Sequence, residues 1–346
     1  MTLEPDQRLA PPAGETDALL GEHELTLQEL EKIYVPFPRD VTIKTELKHL
    51  VRISERCAAN LENAAAAGRL TEGRALLLTG PSGTGKTRCL KNHFESVGLQ
   101  LDHSEPTAPQ TLISITCPTP FTLRQLGNDI LAELNFVTSR ILRENEVWAL
   151  VRTHLKKRGV RFLHLDEFQH LTSPDASKQV IRICNTLKGL LQNPEWPICL
   201  ILSGMPEAKI ILQQDPQIRR RTNFKEFKSL RYDRDWETTA KLVATYAAEA
   251  GLDPADLFIH GIIPACAEKH QYPFISRLMK AACHQQGLVI EYIIDAIQAA
   301  FVAGESKLNH LHFAEVFTQR HGICEETNDE LNVFLTKRDW TTLDVV

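Results

Sequence analysis

Gly80-Pro81-Ser82-Gly83-Thr84-Gly85-Lys86-Thr87 spells G-x-x-x-x-G-K-[ST], a run whose residue types suit the cradling of a nucleotide's phosphates. The glycines let successive backbone N–H groups turn inward around anionic oxygens. Lys86 supplies a cation for the β and γ oxygens, and the Thr87 hydroxyl suits magnesium. ATP or GTP binding is the first expectation, with the contact surface continuing through Arg88.

Further along, Arg161-Phe162-Leu163-His164-Leu165-Asp166-Glu167 reads as an apolar strand that ends in two acids. Ligands gather at the carboxyl edge of a parallel sheet, and such a strand delivers both carboxylates there. The pattern matches a Walker B motif. Asp166 is expected to complete the Mg²⁺ shell with Thr87, and Glu167 to orient or deprotonate the attacking water. His164 alternates into the core with no chemical task. Ile198-Cys199-Leu200-Ile201-Leu202-Ser203-Gly204 is a second buried strand, and it sets Ser203 at the same edge to sense the γ-phosphate. Arg219-Arg220-Arg221 follows, placed so that one or two of the three can offset charge at a neighbouring subunit's γ-phosphate.

These residues need a scaffold that holds strand ends in one row. Ala75–Thr79 leads into the loop as a strand, and the stretch after it carries apolar Cys89, Leu90, Phe94 and Val97 at helical spacing. Further strands are expected at Thr111–Thr116, Arg161–Asp166, Ile198–Ser203 and Glu226–Leu230, separated by helices at Leu123–Leu134, Asn145–Arg158 and Ser177–Leu191. Alternation of this kind predicts a parallel sheet covered on both faces. Beyond Asp235 strand signals vanish, and segments 235–250, 254–270, 273–287, 291–303 and 308–320 read as helices. Ahead of the sheet stand an acidic, flexible segment with a short helix at Leu25–Lys32, a proline-stiffened strip Ile33–Pro38, and a long helix from Thr42 to Ala67. The organisation expected is 1–32 as the N-terminal segment, 33–233 as the nucleotide-binding domain, 234–321 as a helical lid and 322–346 as a tail.

With 346 residues and 43% hydrophobic content the chain can bury a sizeable core. No run of about 18 apolar residues is evident and the N-terminus is acidic, so neither a membrane span nor a signal peptide is expected and the location expected is cytoplasmic. Eight cysteines without a C-x-x-C pair read as reduced core residues, and thirteen histidines lack ligand spacing, so zinc is not indicated. Net charge is −5, yet residues 140–161 hold seven bases against two acids and residues 219–231 six against one. Such clusters suit a solvated helix face, arginines aimed at ATP, or nucleic-acid backbone.

In this order the parts resemble the AAA+ ATPases over roughly residues 30 to 320. The resemblance implies a P-loop NTPase of the α/β class, with a five-stranded parallel sheet in the order 5-1-4-3-2 and a C-terminal helical lid. It makes Arg277, in Tyr272-Pro273-Phe274-Ile275-Ser276-Arg277, a sensor 2 arginine for ATP, although Tyr272-Pro273 stands where the family has a glycine. A narrower resemblance is to the TniB/TnsC transposition ATPases, whose role is similar to that of MuB. Ile33–Pro38, Leu165-Asp166-Glu167-Phe168-Gln169-His170-Leu171, Ser203-Gly204-Met205-Pro206-Glu207-Ala208 and Asp215-Pro216-Gln217-Ile218 carry it, while Met205 and Thr222 depart from it. This resemblance puts the group's usual arginine on Arg221, with Arg220 as the alternative.

That resemblance implies an ATP-dependent, ATP-hydrolysing homo-oligomer, ring or helical filament, that wraps target double-stranded DNA and recruits a transposase, with a target-selection protein as a further partner. Thr119, Thr122, Arg124, Lys178 and Arg182 are the DNA contacts it suggests, and Tyr34 and Val35 are expected beside the adenine. Two rivals remain at this level: a remodelling ATPase like the helicase loaders, and a signalling scaffold that binds ATP and hydrolyses it poorly.

Overall fold

The computed structural model describes residues 13–63, 72–100, 111–119, 122–136, 138, 140–171, 176–258 and 273–337. Along the chain run α1 (Ala13–Lys32), α2 (Pro38–Glu62), β1 (Ala75–Thr79), α3 (Lys86–Ser96), β2 (Leu112–Thr116), α4 (Leu123–Glu133), α5 (Glu144–Lys157) and β3 (Phe162–Asp166). There follow α6 (Ala176–Leu191), β4 (Cys199–Gly204), α7 (Ala208–Gln213), α8 (Pro216–Arg219), β5 (Thr222–Glu226), α9 (Tyr232–Glu249), α10 (Pro273–Ala281), α11 (Gln286–Ala303), α12 (His310–His321) and α13 (Asn328–Leu331).

One compact unit, residues 37–229, holds the whole sheet. Its strand order is β2-β3-β4-β1-β5, all pairs parallel, which is the expected 5-1-4-3-2 arrangement. The three inner strands are buried along their full length because helices cover both faces. Side chains alternate between two cores. Leu77, Ile113, Leu163, Leu165, Leu200 and Leu202 face one, whereas Leu76, Leu78, Leu112, Phe162, Cys199 and Ile201 face the other, beside Leu90 and Phe94 of α3.

The fifth strand departs from expectation by four residues. It lies at Thr222–Glu226 and not at the more apolar Glu226–Leu230. As an edge strand it pairs only with β1 and leaves Asn223 and Glu226 exposed, so burial imposes little apolar pattern on it. Phe227, just beyond, is buried against the start of the phosphate loop: a Cβ on Gly80 would lie 2.4 Å from its carbonyl oxygen.

The second unit joins the described residues up to Pro36 with those from Leu230 onward. Its N-terminal helix begins at Ala13, well before Leu25, so residues 13–32 are helical where the sequence suggests a largely flexible segment. Here α1 packs on α11, with His23 stacked on Phe301 at 4.2 Å. The helix expected over 273–287 breaks after Ala281, where Cys283 and His284 take positive φ. Most of the 254–270 segment lies outside the described residues; a 3₁₀ turn covers Ala255–Phe258. Among the described residues α11 alone is long and apolar enough to cross a membrane, at 18 residues and mean hydropathy 1.4. Its face from Val289 to Ala300 is buried in the unit, and Glu291 and Asp295 pair with Arg320.

Five of the cysteines are buried as expected, at 57, 89, 117, 184 and 199, but Cys283 and Cys324 are exposed and are not core residues. Cys266 lies outside the described residues.

Candidate nucleotide site

The phosphate loop is shaped by its own backbone. Gly83 and Gly85 adopt φ of 73° and 88°, a left-handed conformation that glycine takes without steric cost. Thr84 Oγ1 donates to Pro81 O at 2.8 Å, and α3 starts at Lys86, so its unpaired first-turn N–H groups and positive dipole end face the loop. Lys86, 7% exposed, donates from Nζ to Gly80 O and Pro81 O, each at 2.8 Å. Burial lowers its pKa, while Glu167 and Asp166 act in the opposite direction.

Asp166 closes the site from β3. Thr87 Oγ1 donates to its Oδ2 at 2.7 Å and Ser203 Oγ to its Oδ1 at 2.6 Å, joined by the Glu167 N–H at 3.0 Å. Burial alone raises this carboxyl's pKa, but the hydroxyls of Ser203 and Thr87 and the nearby His164 outweigh it, so the carboxyl sits below its ordinary range. A hydroxyl and an ionised carboxylate side by side form the hard oxygen donor set that magnesium takes. The loop, Lys86, Thr87 and Asp166 therefore fit a nucleotide with its metal.

Glu167 adopts φ of 53°, unusual for a residue with a Cβ, in a sharp exit from β3 directly after Asp166. Gln169 holds it: the Gln169 amide donates to Glu167 Oε2, and Gln169 Oε1 accepts from the Met205 N–H at 2.9 Å. Gly204 makes room, since a Cβ there would lie 2.5 Å from Gln169 Oε1.

His164 is not idle. Fully buried, it hydrogen-bonds Ser114 Oγ through Nδ1 at 2.7 Å and Ser203 Oγ through Nε2 at 2.8 Å. Burial pulls its pKa down to about 4 against the attraction of Asp166, so the ring is neutral at pH 7. Arg39 was also silent in the sequence: it donates to Thr84 O at 2.9 Å and to Lys228 O, and lies 3.8 Å over the Phe227 ring. It clamps the loop to the segment after β5.

Two arginines are placed differently from expectation. Arg221 is 3% exposed, its Nη2 2.6 Å from the Glu72 carboxylate and its Nη1 donating to Gln217 O, so it is committed within its own chain. Arg220 beside it is exposed. Arg277 is fully buried in the helical unit, donating to Val333 O and to Thr336 O at 3.2 Å, and ties down the C-terminal segment. A guanidinium enclosed by main-chain carbonyls does not reach out to a phosphate. Tyr34, half-buried, and Val35, buried, also belong to the helical unit.

Among the residues suggested for DNA, Thr119 is exposed after β2 and bonds His170 Nδ1 at 2.8 Å. Thr122 caps α4 by accepting from the Gln125 N–H, and Arg124 is exposed in that helix's first turn. Arg182 pairs with Glu144 at 2.7 Å on the surface; the side chain of Lys178, on α6, lies outside the described residues. Arg152, Lys156 and Lys157 of the basic run line a cleft of about 980 Å³ with Glu195 at the amino edge of the sheet, opposite the loop, so they are not aimed at ATP.

Replacing Arg221 with alanine is expected to lower stability by about 1–3 kcal/mol, between the values for exposed and buried pairs. The melting temperature falls by a few degrees, while Arg220→Ala leaves it unchanged. Equal melting of both variants and the parent would mean that the pair with Glu72 contributes nothing.

Residues 69–212 match the family described as AAA domain. The chain therefore carries an AAA-type P-loop domain, and its fold is that of the AAA+ P-loop NTPases. Among solved structures it is similar to the Cdc6p protein of Pyrobaculum aerophilum, at 19% identity and a TM-score of 0.56 over 86% of this chain and 72% of that one. The Drosophila ORC bound to DNA aligns with a TM-score of 0.52 and 15% identity over 94% of this chain and 72% of that one. The Aeropyrum pernix ORC1 protein in complex with DNA gives 0.51 and 17% over 84% and 68%. No curated protein sequence matches the chain.

Proposed function

We propose that the protein binds and hydrolyses ATP and, in its nucleotide-bound form, assembles as a homo-oligomer on target double-stranded DNA, where it recruits a transposase in the manner of the TniB/TnsC group. The observation that carries the ATPase reading is the Thr87–Asp166 contact of 2.7 Å beneath the loop, with Glu167 next to it. A magnesium ion bound by this pair would neutralise charge on the β and γ phosphates. Lys86 and the first turn of α3 bind the phosphates, and Glu167 orients the attacking water and takes its proton, while Ser203, expected to sense the γ-phosphate, instead donates its one hydroxyl proton to Asp166. Arg220, exposed just before the edge strand, is the arginine offered to a neighbouring subunit.

For DNA, support comes from the exposed Thr119 and Arg124 at the carboxyl edge, from the transposition-type motifs around Asp166 and Ser203, and from the two fold neighbours described with DNA. Repetition in an oligomer lets a few bases per subunit suffice on a chain of net charge −5. The test is duplex binding at modest salt with a non-hydrolysable ATP analogue, followed by gel shift and electron microscopy. Assembly on DNA is expected only with the analogue. Arg124→Ala is expected to weaken it across all sequences and to reduce the salt slope by about one for each phosphate that is no longer neutralised. No assembly under any nucleotide would end the DNA reading and leave a loader or a scaffold.

A further inference from the structure

Ser114, His164, Ser203 and Asp166 occupy three adjacent parallel strands and point to one face of the sheet. Ser114 stands directly across from His164 in the β2–β3 register, and β4 brings Ser203 to the other side of the ring. Four hydrogen bonds then run unbroken from Ser114 to Thr87: 2.7 Å to Nδ1, 2.8 Å from Nε2 to Ser203, 2.6 Å to Asp166 and 2.7 Å on to Thr87. His164 and Ser203 are both fully buried, so no water competes for these protons.

The direction of the chain follows from its end. An ionised carboxylate only accepts, so the single Ser203 hydroxyl proton must lie on Asp166. Ser203 then accepts from His164, which fixes the ring as the Nε2–H tautomer, and the bare Nδ1 accepts from Ser114. The reverse tautomer would turn the Ser203 proton toward the ring and leave two acceptor oxygens facing each other at 2.6 Å.

We propose that His164, backed by Ser114, is a positioning residue for nucleotide hydrolysis: it locks the Ser203 hydroxyl onto Asp166 and so holds the metal-binding carboxylate in one orientation before nucleotide arrives. This rests on the ATPase reading above. Groups that orient a metal ligand from behind it commonly change activity by about 10- to 100-fold when removed. His164→Leu is expected to cut kcat by about 10-fold or more with the ATP Kd within about twofold. His164→Gln, which keeps one donor and one acceptor on the same side chain, is expected to recover most of the loss.

The experiment combines steady-state kinetics and ATP binding for both variants with ¹⁵N-histidine NMR of the full wild-type chain, the His164 signals being assigned by their loss in His164→Gln. The NMR reading needs no turnover: one ring in the Nε2–H form at pH 7 is expected. A ring that carries no proton on Nε2, wild-type kcat in His164→Leu, or equal loss in the Leu and Gln variants would each overturn the proposal. A wild-type chain with no hydrolysis but the expected tautomer would instead count against the ATPase reading, and the relay would stand without its catalytic consequence.

Discussion

Glu167→Gln is expected to abolish measurable ATP turnover, a loss of about 10²- to 10⁴-fold in kcat, while ATP binding stays near wild type. The substitution removes the only function glutamine cannot supply, acceptance of a proton from water. Its shape is retained, and the positive φ of 53° is no more strained for glutamine than for glutamate. The neighbouring Gln169 amide still finds a carbonyl oxygen to donate to at the former Oε2 position. The protein should therefore melt where the parent does, and assemblies formed with ATP should persist because they no longer reset. A single-turnover assay with radiolabelled ATP checks this. Turnover within a few-fold of wild type would remove Glu167 from the chemistry.

Lys86→Ala is expected to act on binding. The ammonium is held at 2.8 Å from two loop carbonyls and lies nearly buried, so it is pre-aimed at the space the loop encloses. Hydrogen bonds to a charged group are worth about 1.5–3 kcal/mol, which sets the expected rise in the ATP Kd at roughly 10- to 150-fold. Calorimetric titration with Mg-ATP measures it. Every downstream property, hydrolysis and assembly included, should fall with occupancy and recover partly at high nucleotide. An unchanged Kd would show that the loop does not hold phosphates, and with it the whole site would fail. The two variants are diagnostic together: one binds without turning over, the other loses turnover because it loses binding.

Acid behaviour of the site follows from the lowered pKa of Asp166. A carboxyl depressed on folding contributes stability above its unfolded pKa, and that contribution disappears as pH falls through the folded value. The Thr87–Asp166–Ser203 contacts should therefore survive mild acid.

The local pattern of the chain already specified the phosphate loop, the acid pair at 166 and 167 and the serine at 203, because each of these rests on short-range signals, whereas the strand order was implied only by the resemblance to the AAA+ ATPases. Gly80 to Thr87 needs particular residues to make its turn, and buried strands such as Leu76–Leu78 and Leu200–Leu202 must be apolar on both faces. Edge strand β5 escaped this logic, since one open flank relaxes the demand for apolar residues.

Side-chain partners were settled only by tertiary packing. Nothing near Arg221 in sequence announces Glu72, and Arg277 meets Val333 and Thr336 only because the C-terminal segment folds back over α10. A period of two did set polar residues at 114, 164 and 203 on one face, but only the register of three strands turned them into a connected chain ending on Asp166. Covalent order determines which residues can face the same side; which of them touch depends on long-range pairing, and there the charges of Arg221 and Arg277 are spent inside the molecule while Arg220 stays outside.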